Sequence, residues 1–77
     1  MMKTFTAFRP AIPDGTHNGD QMNPPDQPQY EGVVFTDGTC AIRWMTACRS
    51  TSIFASYAEM FRIHGHPDYG TRIVWGA

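Results

Sequence analysis

The chain has 77 residues, which leaves room for one domain. Charged residues make up 17% of it and aromatics 13%, a balance that reads as globular rather than disordered. The net charge is −1: Lys3 and Arg9 stand against Asp14, Asp20, Asp26 and Glu31, while four arginines from Arg43 onward face Asp37, Glu59 and Asp68. That balance lacks the basic excess that phosphate-backbone or membrane-surface binding usually leaves. No apolar run approaches the roughly 18 residues of a membrane span, and Thr4, Thr6, Arg9 and Pro10 interrupt Phe5, Ala7 and Phe8, so no secretory core is expected. The expectation is a cytoplasmic protein in which Cys40 and Cys48 are free thiols.

In chain order, residues 1–29 read as an extended N-terminal arm. Met1, Met2, Phe5, Phe8 and Ile12 give its first part apolar side chains to bury, and Pro13, Gly15, Gly19, Pro24, Pro25 and Pro28 make the rest a polyproline-like connection. Residues 30–77 read as a small α+β domain. Gly32 to Thr36 and Thr39 to Met45, joined by Asp37-Gly38, predict a β-hairpin with a two-residue type I′ turn. That register pairs Phe35 with Cys40 and Val33 with Ile42, placing Val33, Phe35, Cys40, Ile42 and Trp44 on one inner face.

Ser50 to Phe54 is β-branched enough for a third strand. Ser56-Tyr57-Ala58-Glu59 has the form of a capping box opening a helix, whose stripe is Tyr57, Met60, Phe61 and His64. Gly65 stands where a left-handed helix end is wanted, Pro67 stops the helix, and Thr71 to Trp75 predicts a last strand. The expected fold is a small antiparallel or mixed sheet of three to four strands, with one helix on one face and a Pro-rich arm. One short helix covers one face only. The other, with Arg43 and one side of the last strand, needs a cover from the arm, a second copy or another protein.

Several constellations could carry chemistry. Cys48, His64 and His66, with Cys40, are soft or borderline ligands for zinc, but the cysteines are eight apart rather than the two to four of structural zinc sites. Cys48 beside Arg49 could act as a thiol nucleophile with His64 or His66 as base, although nothing in the sequence brings them together. No glycine-rich phosphate loop is present, and no cofactor is expected. Arg43, Arg49, Arg62 and Arg72 with Trp44, Tyr69 and Trp75 could form an aromatic and basic surface for single-stranded nucleic acid.

Gly32-Val33-Val34-Phe35-Thr36-Asp37-Gly38-Thr39, Arg43-Trp44, Arg49-Ser50-Thr51, His64-Gly65-His66 and Gly70-Thr71-Arg72-Ile73-Val74-Trp75 together carry a family likeness. From Tyr30 to Trp75 the chain resembles a set of small uncharacterised proteins of actinobacteria and, especially, their phages. The resemblance implies a short cytoplasmic protein made during phage infection and carries over no functional residue. The expected function is a non-enzymatic interaction protein that binds a host protein or assembles with itself. Phe5, Phe8, Ile12, Arg43 and Arg72 are its candidate contacts. A nucleic-acid module on the open sheet face and a small zinc- or thiol-dependent protein are the alternatives.

Overall fold

The computed structural model describes residues 1–11 and 22–76. Its elements are β1 (Lys3–Phe8), β2 (Tyr30–Val34), β3 (Cys40–Trp44), β4 (Thr51–Phe54), α1 (Tyr57–His64), a 3-10 turn (Pro67–Tyr69) and β5 (Arg72–Trp75). The strands make one antiparallel sheet in the order β4-β3-β2-β1-β5. The chain is α+β as expected, but the sheet has five strands, not three or four.

The fifth strand is the first part of the expected arm. Residues 3–8 lie between β2 and β5 and bridge them. Thr4 and Thr6 alternate with Phe5 and Ala7, the period-two pattern of a half-buried strand. Phe5 and Ala7 are buried on the helix side, and Phe8, three residues beyond Phe5, faces the other way. The described remainder of the Pro-rich stretch is not an extended connection either. Asn23 and Gln29 join backbone and side-chain amides reciprocally at 2.7 and 2.9 Å. Asn23 Nδ2 also donates to the carbonyls of Pro28 and Met45, and Gln27 closes a turn onto Pro24.

The hairpin forms with its register shifted by one residue. Cys40 pairs with Val34 and Ile42 with Gly32, so β2 turns Tyr30, Gly32 and Val34 inward, and Phe35 is exposed. The connection is the cause. Gly38 at φ 90° follows a turn closed by its own N–H to the Phe35 carbonyl, and Phe35 N–H donates to Thr39 O, which makes a three-residue loop. Asp37 stays at negative φ and its carboxylate accepts the Thr39 amide at 2.9 Å, so the two positive φ values of a type I′ turn are not present. The inner face of β3, with Cys40, Ile42 and Trp44, is as expected.

Gly32 sits inward because the Phe5 ring lies over it. A Cβ there would strike the ring, with Cε2 at 2.7 Å. Around that contact, Phe5, Ala7, Tyr30, Cys40, Ile42 and Met60 of α1 form the core, flanked by Val34, Trp44, Phe54, Tyr57 and Ile73. Ser56 caps α1, its hydroxyl accepting the Glu59 amide at 3.1 Å. The helix end differs from expectation. Gly65 is right-handed at φ −75°, and the positive φ of 22° belongs to His66. Gly65 is required for space instead: it packs on Phe61, whose ring a Cβ would meet at 2.7 Å.

Candidate functional site

Just past β1, Arg9 turns into the interior and is 4% exposed. Its guanidinium carbon lies 5.2 Å from the ring centre of Trp44, 5.4 Å from Tyr69 and 5.5 Å from Tyr30. These rings come from β3, the 3-10 turn and β2, so the box exists only when the sheet and the turn close together. Arg9 Nη2 donates to the His64 carbonyl at 2.8 Å, and the Tyr30 hydroxyl donates to the same oxygen at 3.1 Å. That oxygen is at the C-terminus of α1, where the helix dipole favours a cation. Arg9 Nε is buried and has no hydrogen-bond partner among the described residues.

Burial pulls the Arg9 guanidinium below its ordinary pKa, partly opposed by Tyr30, Tyr69 and Asp68. Burial also pushes the Tyr30 hydroxyl up to about 12, although Arg9 works against that shift. His64 is held below its usual value, first by burial and then by the charge of Arg9 and by His66. Its ring meets Trp44 at 5.2 Å and Phe54 at 5.6 Å, both edge-on. His66 stacks on Tyr69 at 4.5 Å, and its Nδ1 is 3.9 Å from the Asp68 carboxylate.

Beside this box opens a cavity of about 420 Å³. Arg9, Trp44, His64 and His66 line one part, and Thr46, Cys48 and Ser50, from the connection between β3 and β4, line the rest. None of these residues is acidic. Cys48, His64 and His66 thus share one cavity, which their sequence positions did not suggest. Even so, no three His, Cys, Asp or Glu side chains among the described residues gather closely enough to hold a metal ion. Cys40 is elsewhere, buried in the core, where desolvation raises its thiol pKa.

The candidate contacts fall apart in space. Phe5 is 2% exposed and packs edge-on against Tyr30, Tyr57 and Trp75, so as placed it has no surface to offer a partner. Ile12 lies outside the described residues. Phe8, Arg43 and Arg72 do share the outer sheet face: the Arg72 guanidinium sits 4.9 Å over the Phe8 ring, and Arg43 Nε donates to Thr51 Oγ1. Thr6, Glu31, Arg43 and Thr51 form a polar row across this face, beside the row Thr4, Val33, Ala41 and Ile53. A shallow trough of about 550 Å³ runs along them. Trp44 and Trp75 belong to the helix side, so the aromatic and basic residues considered for nucleic acid do not assemble on one face. Arg9 drew no attention in the sequence, where a lone arginine before a proline carries no signal.

No helix among the described residues is long and apolar enough to cross a membrane. Comparison with known proteins found no match among curated proteins and none among solved structures. The sequence profile of the Acb5 phage protein family matches residues 30–77, from the start of β2 to the C-terminal residue. This segment contains the hairpin, β4, the helix and β5, while β1 and Arg9 precede it. The match spans more than half of the sequence, and the chain belongs to the Acb5 phage protein family.

Proposed function

We propose that the protein is a non-catalytic phage accessory protein that acts in the host cytoplasm by binding a host protein through the outer face of its sheet. The family match supports the phage setting. The supporting observation is the face itself. Among the described residues nothing covers it, and beyond its polar row it carries Ile53, 73% exposed, and Val74, 39% exposed. An antiparallel sheet tolerates water on one face when that face is polar, and the threonines, Glu31 and Arg43 meet that condition. Ile53 on β4 and Val74 on β5 do not. They stand on the two edge strands, where unpaired backbone groups are also available to a partner.

The test compares tagged wild-type protein with an Ile53→Lys, Val74→Lys double variant, both purified from host cells. Both substitutions are at exposed positions, so the melting temperature should be unchanged. The wild type is expected to hold a host protein through gel filtration, and the variant to lose it. A wild type that elutes alone as a monomer, or a variant that keeps every partner, refutes the reading. Concentration-dependent self-association lost in the variant would replace the host protein by a second copy.

A further inference from the structure

We propose that the cavity beside Arg9 is a binding site for the phosphate group of a small molecule, a role separate from the outer sheet face and on the opposite side of the sheet. The starting point is a buried charge that no ion pair among the described residues compensates. Arg9 is 4% exposed, yet no carboxylate among the described residues forms an ion pair with it. Arginine stays protonated in proteins, and a buried charge is normally paired. The three rings, the Tyr30 hydroxyl and the His64 carbonyl satisfy this cation only in part: among the described residues Nε is buried without a partner. A cation that is fixed by its surroundings and has no ion-pair partner among the described residues is a preorganised anion receptor.

The cavity wall has matching chemistry. Ser50 supplies a hydroxyl, His64 and His66 supply imidazoles, and none of the described lining residues is acidic. Such donors around a guanidinium suit a tetrahedral oxyanion, whose oxygens point in several directions, better than a planar carboxylate, whose two oxygens lie in one plane with the arginine fork. At about 420 Å³ the cavity also exceeds what an inorganic ion fills and lies within the range of small-molecule sites. Trp44 lines it as well and offers an apolar wall to whatever the phosphate is attached to.

The test uses the full chain and inorganic phosphate at pH 7, with ionic strength held constant by sodium chloride. Binding is followed by calorimetry and by the NMR signals of Arg9 Nε–H and the Trp44 indole. The expected result is a saturable, one-site titration that moves both signals, with acetate at least tenfold weaker. Arg9→Lys keeps the charge but loses the fork and should weaken phosphate at least tenfold. Should Arg9→Lys fail to fold, a Ser50→Ala, His66→Ala variant at the cavity rim carries the same test, with a several-fold loss expected. Phosphate shifts that never saturate, acetate binding as tightly as phosphate, or unchanged affinity in a folded variant would each overturn the proposal. None of these results depends on whether a protein binds the outer face.

Discussion

Replacing Phe5 with alanine tests most directly whether the N-terminal segment is a strand of the domain or an appendage. The Phe5 side chain is 2% exposed, covers Gly32 and meets three rings with centroids 5.2 to 6.5 Å away. Truncating such a phenylalanine costs about 3–5 kcal/mol, through lost transfer energy and the cavity left behind. A domain of this length has roughly 4–12 kcal/mol in total, so Phe5→Ala removes a large share of it. Phe8 is the internal control. It lies on the same strand, half-buried on the water-facing side beneath Arg72, and its truncation should cost about 1 kcal/mol. Urea unfolding followed by far-ultraviolet circular dichroism measures both. At a slope of about 1 kcal/mol/M the Phe5→Ala midpoint should fall by about 3–5 M or the protein should be unfolded outright, while Phe8→Ala should lose about 1 M. Equal losses at the two positions, or a Phe5→Ala protein as stable as the wild type, would refute β1 as a core strand.

Gly32→Ala places a methyl group against the Phe5 ring and should cost roughly 1–3 kcal/mol of overpacking, measured by the same urea titration; a neutral result would mean Phe5 does not lie over β2. Ser56→Ala removes the helix cap and should cost about 1 kcal/mol, visible as a lower melting temperature by several degrees. His64 makes stability depend on pH. Because burial lowers its folded pKa, the unfolded chain binds more protons in the window from that lowered value up to the ordinary one near 6.5. Stability is therefore full above that window and lost as pH falls through it. His64→Phe, which keeps an aromatic ring against Trp44 and Phe54, should flatten this part of the melting-temperature profile between pH 5 and 7.

The chain shows clearly where local rules decide and where they do not. Ser56 three residues ahead of Glu59, the Tyr57 to His64 stripe and the alternation of β3 are governed by hydrogen bonds and periodicities within a few residues. The structure has the Ser56 cap and the β3 alternation, with the Glu59 carboxylate turned to Arg62 instead of back to the cap. Of the stripe it buries Met60, half-buries Tyr57 and His64 and leaves Phe61 exposed. The hairpin was legible as an element but not in its register. Asp-Gly suits a two-residue turn as well as a three-residue loop, and a shift of one residue exchanges Val33 and Phe35 for Val34 and Gly32 on the buried side. A glycine in the core looks unfavourable until the aromatic ring that fills its place is known. That ring belongs to Phe5, 27 positions earlier.

By itself, then, the sequence determined one small α+β domain, the face that β3 buries, the helix and its cap, and the likeness to phage proteins. Each rests on short-range pattern. The alternation of Thr4, Phe5, Thr6 and Ala7 was readable as a strand. That it enters the middle of the sheet was not, because strand pairing is a contact between distant segments and periodicity names the buried face without naming the neighbour. Arg9 is the sharper case. Its charge is hidden because Tyr30, Trp44, Tyr69 and the last carbonyl of α1 converge on it from four elements, and only tertiary structure, by removing water from around a cation, turns an ordinary arginine into the floor of a candidate binding site.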